Sequence, residues 1–294
     1  MCRHLAYLGP PASLRQLIVE PPHGLYRQAW APRRQRYGSV NADGFGVGWY
    51  ADDDPIPARY RRGGPIWADP SFADVARVTR TTAAVAAVRC ATDGTDAGEA
   101  AAAPFSAGPW LFSHNGAVTG WPAAAARLAA LLRRRDLVEL EARSDSALLW
   151  ALVLRRLRAG AGPAAALADT VCLLDTERMP GRFNFLLTDG EHVAATAVGD
   201  TLCYRRADGH VLVASEPCDD TSGWTSVPDG SVLTAVAGDV RIHPLGPADD
   251  PADDPAGWTA DRAAGRTAGR PAGSTAGSAA ESAADGPAET RADR

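Results

Sequence analysis

The 294-residue chain has no lysine: all 30 of its basic residues are arginine, a uniformity that reads as coding bias rather than function. It also lacks anything close to the roughly 18 consecutive apolar residues of a membrane span. Its N-terminus lacks the charged segment and apolar run of a secretion signal. A cytoplasmic protein without membrane contact is expected. The net charge of −5 argues against a general electrostatic grip on nucleic acid. The five cysteines, Cys2, Cys90, Cys172, Cys203 and Cys218, lack the close paired spacings of a structural zinc site or a disulfide framework. Most are therefore expected to be reduced core residues. Cys2 and His4 are conceivable metal ligands, but no second pair at a zinc-like spacing completes a set. After Leu245 there is no further Leu, Ile, Val or Phe, so 246–294 reads as a low-complexity, disordered tail without a site.

Residues 1–245 are enough for one substantial layered domain. The first third reads as short strands and turns. "RHLAYLG" suits a buried strand, "GFGVGWY" follows a turn at Asn41-Ala42-Asp43-Gly44, and "AAVAAVRC" is a further strand. "PWLFSH" and "AVTGW" flank Asn115-Gly116, which predicts a hairpin turn. "PAAAARLAALLRRR" reads as one helix opened by a proline. "SDSALLWALVLRRLRAG" reads as a second, with Ser144 as its N-cap and Gly160 at its stop. From about Cys172 the pattern returns to strands, at "FNFLLTDG", "HVAATAVG", "TLCYRR", "HVLVAS" and "VLTAV". Strands, then helices, then strands imply sheets with helices packed outside them. No internal repeat is visible.

The chemistry starts at Cys2. Once the initiator methionine is removed, one residue carries both a thiol and an α-amine. The thiol, with a pKa near about 8.5, is only a few per cent thiolate at neutral pH, and an α-amine at about 7.7–8.0 titrates close enough to take its proton. The nucleophile then carries its own base. Attack on an amide carbonyl creates an oxyanion, and the Asn115 amide with the Gly116 N–H offers donors for it. Arg89, at the end of an apolar strand, can hold a carboxylate by two parallel hydrogen bonds. Asp145, at a helix start, can accept from an ammonium. Each of these residues also has a plainer reading. Cys2 alone is a cysteine at a frayed end, and Asn115-Gly116 is a turn. Arg89 is then a salt-bridge partner, and Asp145 complements the helix dipole. Asp43 and Gly44 read as turn residues.

Taken together, Cys2, "VRCATDG", "SHNGAV" and "SDSALL" occur in the order and approximate spacing that resemble class II glutamine amidotransferases, which are N-terminal-nucleophile hydrolases. The resemblance implies an α+β fold, a four-layer αββα sandwich with two mainly antiparallel sheets between helical layers. It implies that Cys2 is the nucleophile and its amine the base, and that Asn115 and Gly116 form the oxyanion hole. It further implies that Arg89 binds the α-carboxylate of a glutamyl group, that Asp145 binds its α-ammonium and that Thr92 lines the same pocket. No metal or organic cofactor is implied. The sequence departs from the family at Asp93, where many members carry histidine.

Within the family, "MCRHLAYLG", "PPHGLYRQAWAPRRQRYGSVNADGFGVGWY" and "RRADGHVLVASEPCDDTSGW" are similar to the branch that hydrolyses γ-glutamyl-hercynylcysteine sulfoxide in ergothioneine biosynthesis. The resemblance spans Met1 to about Leu245 and implies a small-molecule γ-glutamyl substrate, cleaved through a thioester on Cys2. A trimethylammonium group on that substrate would favour an aromatic wall, for which Phe45, Phe105 and Trp110 are candidates, each with core packing as its plainer reading. The chain has no room for a second synthase domain, which favours hydrolysis over internal ammonia transfer. Two alternatives remain open at this point: a glutaminase subunit serving a separate synthetase, and a non-catalytic γ-glutamyl-binding protein on the same fold. The oligomeric state is not legible.

Overall fold

Strand β1 (Arg3–Ser13) divides its side chains between two apolar layers. Leu5 and Tyr7 join one buried cluster, and Ala6 and Leu8 join another. A strand covered on both faces belongs inside a stack of layers, and that is where the computed structural model, which describes residues 2–207 and 209–246, puts it. The tail expected over 246–294 lies, beyond Gly246, outside the described residues.

The first sheet is antiparallel at every pairing given for it. It combines β1 with β2 (Phe45–Ala51), β3 (Asp54–Arg62), β4 (Arg80–Val88), β9 (Cys203–Ala207), β10 (His210–Ala214) and β11 (Trp224–Ser226), in the order β11-β9-β10-β1-β4-β2-β3. The second combines β5 (Phe105–Ala107), β6 (Trp110–Val118), β7 (Gly181–Thr188), β8 (Val193–Ala197), β12 (Ser231–Val236) and β13 (Asp239–Pro244), in the order β13-β12-β8-β7-β6-β5. Ala6, Leu8, Val85, Leu111, Leu186, Val213 and Leu233 form the layer between the sheets. Helices α1 (Leu14–Ile18), α2 (Leu25–Gln28) and α3 (Pro70–Val78) pack on the outer face of the first sheet through Leu14, Ile18, Leu25 and Phe72. Helices α4 (Ala125–Ala130), α5 (Arg134–Val138), α6 (Asp145–Arg158) and α7 (Pro163–Thr176) supply Leu128, Leu149, Leu152, Val153 and Leu167 to the cluster beside the second. The expected αββα sandwich is thus present. Among the described residues no helix is long and apolar enough to cross a membrane.

Helix α6 follows from its sequence as expected. The Ser144 hydroxyl accepts from the Ala147 N–H at 3.1 Å, a cap worth about 1 kcal/mol, and the chain leaves the helix at Gly160 with φ of 93°. Each fully buried Leu or Val on its inner face adds roughly 1.5–3 kcal/mol.

Several local expectations are corrected. Asn115-Gly116 is not a hairpin turn. It lies inside β6, in register with β7, with Asn115 opposite Asn184 and Gly116 opposite Phe183. The glycine serves close approach instead: a Cβ there would collide with the Arg182 carbonyl oxygen and sit 2.7 Å from His114 Nε2. The segment expected as one helix from Pro122 breaks into α4 and α5. At the break the Asp136 carboxylate accepts from the Arg133 backbone N–H at 3.1 Å and from Arg133 Nε at 3.0 Å, which restarts the helix. Cys172 lies within α7, where an alanine-rich run behind Pro163 favours helix, so strands resume only at Gly181. All five cysteines are free, but only Cys203 and Cys218 are buried, while Cys2, Cys90 and Cys172 keep partial exposure. Phe45 packs with Tyr60 and Phe72, and Phe105 is 1% exposed. Trp110 packs beside the cluster of the second sheet. The plainer core reading holds for Phe45 and Phe105, while Trp110 keeps partial exposure.

Candidate active site

The alternation that builds the sandwich also gathers the site. In β1 the even positions face the second sheet: Ala6 and Leu8 lie in the inter-sheet layer, and His4 Nδ1 meets Ser113 Oγ at 3.1 Å. Cys2 shares that parity at the strand's open end. Arg3 pairs with Val88 in β4, so the next step of the ladder brings Arg89 beside Cys2, on the same face as Ala83 and Val85. From the other sheet, Leu111, Ser113 and Asn115 point inward. The Asn115 amide lies 3.3 Å from Ser215 Oγ, which in turn accepts from the His4 N–H at 3.0 Å. Cys2, Arg89 and Asn115, scattered in sequence, therefore meet at one end of the inter-sheet layer.

Burial pushes the Cys2 thiol pKa up, against the pull of a hydrogen bond from the Cys90 backbone and the charge of Arg89. At neutral pH this thiol is protonated and needs a base. The neighbouring imidazoles are poor candidates, because burial depresses both His4 and His114. His114 is also held at both nitrogens, by Ser146 Oγ at 2.9 Å and the Arg182 carbonyl at 2.9 Å. Beneath Cys2 lies a buried ion pair. Arg3 donates from Nε to the Cys2 carbonyl at 2.9 Å and reaches Glu216 Oε2 at 3.7 Å. Glu216 accepts the backbone N–H groups of Arg33 and Arg34 at 2.8 Å each, which ties the segment after α2 to the strand that carries Cys2. Among the described residues no three His, Cys, Asp or Glu side chains cluster as a metal-ligand set.

Asn115 is completely buried, and its Oδ1 has no partner in the assigned amide orientation. Amide oxygen and nitrogen are assigned from the hydrogen-bond network. With the amide turned over, Ser215 Oγ, already an acceptor for His4 N–H, would donate its proton to Oδ1, and the Asn115 NH₂ would face the side where Oδ1 now stands without a partner. A buried amide donor with nothing to bond is what a developing oxyanion requires. The next residue, Gly116, admits no side chain. Gly116→Ala is expected to cost about 1–3 kcal/mol of stability by overpacking, measured as a lower denaturant midpoint, and a midpoint equal to wild type would contradict the tight approach of β7.

Arg89 is 7% exposed and is fixed by three acceptors: the Asp43 carbonyl at 3.2 Å, Thr95 Oγ1 at 2.8 Å and the Asp96 carbonyl at 2.9 Å. Among the described residues its Nε–H and one Nη1–H make no hydrogen bond. Asp43 does more than turn the chain, since its carboxylate also accepts from the Ala91 N–H at 2.8 Å. The Thr92 carbonyl accepts from Thr95 Oγ1 at 2.7 Å, which folds the 92–95 loop against Arg89. Asp96 then links that loop to α6: its N–H donates to the Arg143 carbonyl at 3.1 Å, and its carboxylate accepts the Arg143 N–H at 2.6 Å. Asp145 follows two residues later. Its carboxylate accepts from the Val118 N–H at 3.0 Å and from the Ser146 N–H at 2.7 Å. The helix-start role is therefore real, and the carboxylate retains lone-pair capacity for a further donor. Asp93 is exposed.

The site residues missed in the sequence are those that carry this scaffolding: His4, Ser215, Glu216, Thr95, Asp96, and the Arg182–Asp200 pair at 3.0 Å. No local pattern marks them, because each acts across strands or loops distant in sequence.

Known proteins carry the same arrangement of elements. The profile described as glutamine amidotransferases class-II matches residues 25–210. The gamma-glutamyl-hercynylcysteine sulfoxide hydrolase of Mycolicibacterium smegmatis is 40% identical over 249 residues, covering 83% of this chain and 100% of the relative. Its namesake from Mycobacterium tuberculosis is 40% identical over 230 residues, covering 78% of this chain and 90% of the relative. Among solved structures, a glutamine aminotransferase class-II domain protein from Silicibacter pomeroyi superposes with a TM-score of 0.61 at 25% identity, covering 84% of this chain and all of that one. The glutamine phosphoribosylpyrophosphate amidotransferase of B. subtilis, 16% identical with a TM-score of 0.59, covers 83% of this chain and 49% of its own and shares the fold. The chain therefore belongs to the class II glutamine amidotransferases.

Proposed function

We propose that this protein hydrolyses the γ-glutamyl amide bond of γ-glutamyl-hercynylcysteine sulfoxide, releasing glutamate and hercynylcysteine sulfoxide in ergothioneine biosynthesis. The observation that carries the reading is the 40% identity to a hydrolase of that name over the whole of its length. In this reading Met1 is removed, and the freed α-amine of Cys2 takes the thiol proton as sulfur attacks the γ-carbonyl. Asn115 and Gly116 donate to the oxyanion. The C–N bond breaks, the amine of hercynylcysteine sulfoxide leaves with the proton held by the α-amine, and a γ-glutamyl thioester remains on Cys2. Water, deprotonated by the same amine, cleaves the thioester to glutamate and restores the thiol. Arg89 holds the α-carboxylate of the glutamyl group, Asp145 its α-ammonium, and Thr92 lines the pocket between them. The five free thiols accord with a reducing compartment such as the cytoplasm.

The test is steady-state hydrolysis of the conjugate against free glutamine. A higher kcat/KM for the conjugate is expected, and a clear preference for glutamine would make the protein a glutaminase serving another synthetase. Arg89→Ala, which removes charge-assisted hydrogen bonds of about 1.5–3 kcal/mol, should lower kcat/KM by about 10–100-fold. Wild-type kcat/KM in that variant would displace the glutamyl pocket from this end of the sheets.

A further inference from the structure

Residues 33–41 form a loop tied to the nucleophile strand and to both walls of the site. Its first two N–H groups are held by Glu216, whose ion-pair partner Arg3 donates to the Cys2 carbonyl. Further along, the Arg182 guanidinium lies 4.2 Å from the Tyr37 ring centroid, and Arg182 in β7 sits in register with Ala117, one residue past Gly116. At Gly38, with φ of 72°, a Cβ would stand 3.3 Å from Cys90 Sγ, next to Arg89. Internal bonds fix the rest: Gln35 Nε2 donates to the Tyr37 carbonyl at 3.0 Å, and Asn41 Nδ2 donates to Gln35 Oε1 at 3.0 Å. The loop thus spans from the oxyanion side of the site to its glutamyl side.

An ordered loop in this place presents a guanidinium that no hydrogen bond or ion pair holds among the described residues. Arg33 is paired with Asp220 at 2.8 Å and Arg182 with Asp200 at 3.0 Å. The Arg34 side chain also makes no hydrogen bond or ion pair among the described residues, but it lines a pocket with Glu216, Asp219 and Asp220. Arg36 is exposed, makes no hydrogen bond or ion pair among the described residues, and its charge acts on Asp200, the partner of Arg182. A guanidinium left unpaired at the rim of a site is suited to a carboxylate by geometry as well as charge. The glutamyl carboxylate already has a receptor in the reading above, on which this inference rests. The leaving group supplies another: an amine that belongs to an α-amino acid bears its own carboxylate on the carbon attached to the scissile nitrogen. Free glutamine releases ammonia and has no such group.

We propose that Arg36 is a specificity residue that pairs with the carboxylate of the departing amino acid, and that the 33–41 loop holds it in place. The arrangement favours γ-glutamyl conjugates of α-amino acids over glutamine.

The test uses the full-length enzyme and three substrates: a γ-glutamyl-S-alkylcysteine sulfoxide, the same molecule with its cysteinyl carboxylate converted to the primary amide, and glutamine. Wild type should hydrolyse the carboxylate form about 10–100-fold faster than the amide in kcat/KM, as for one charge-assisted pair. Arg36→Gln should bring that ratio to near one by slowing only the carboxylate form, and Arg36→Lys should restore part of it. A ratio unchanged in Arg36→Gln, or a wild-type enzyme indifferent to the carboxylate, overturns the inference. A wild-type enzyme that works best on glutamine overturns the substrate reading itself, and Arg36 loses its ligand with it. A merely structural role for Arg36 would lower all three rates together, which also counts against the proposal.

Discussion

Cys2→Ala is expected to abolish turnover, with kcat lowered by about 10⁴-fold or more, as when other enzymes lose their nucleophile. The fold should survive, because the Cys2 side chain closes no apolar cluster and its backbone carbonyl, which holds Arg3, is unchanged by the substitution. The variant should still bind γ-glutamyl substrate. Chromatographic quantification of released glutamate, alongside a thermal melt, checks both halves. Residual activity within tenfold of wild type would move the nucleophile elsewhere, to Cys90 as the nearest thiol. A binding protein without catalysis would show no turnover to lose in the wild type either. Burial raises the thiol pKa, so activity depends on an unprotonated base. With an α-amine of about 7.7–8.0 in that role, kcat/KM should fall as pH drops below that range.

The second large effect is expected at Asn115. Removing one oxyanion donor typically costs about 10²–10³-fold in kcat, and Asn115→Ala should show that loss in kcat with KM changed far less. Asn115→Asp replaces a donor with an acceptor of like charge to the oxyanion and should do no better. Its one side-chain hydrogen bond among the described residues is to Ser215, and a thermal melt of the variant separates any loss of packing at this buried position from the loss of the donor. A kcat within threefold of wild type in Asn115→Ala would reduce this residue to a strand position opposite Asn184.

Most of the layer plan was legible because the apolar alternation is strong. "RHLAYLG", "AAVAAVRC" and "FNFLLTDG" each reappear as strands, and Ser144 caps α6. The errors have local causes. Asn-Gly is a turn signal only when the flanking strands pair with each other, and here both flanks pair with β7, so the glycine answers to the Arg182 carbonyl instead of to a turn. The run of arginines after Leu132 reads as a helix end, but Asp136 recaptures Arg133 and begins another helix. The candidates Cys2, Arg89, Asn115 and Asp145 could be named from the sequence because each residue type suits the role proposed for it. The supports of the site could not, because Ser215, Glu216 and Asp96 hold partners on other strands and loops, often far along the chain, and their identity is ordinary until the sheets are stacked.

One measurement bears most directly on the central claim that thiol and base share a single terminal residue. Intact-mass and peptide-mass analysis of fully active protein, before and after reaction with a γ-glutamyl-like diazoketone, reports both the terminus and the labelled sulfur. The expected result is loss of the Met1 mass and one adduct per chain on Cys2, in step with inactivation. Full activity with Met1 still attached, or inactivation by an adduct on another cysteine, would contradict it.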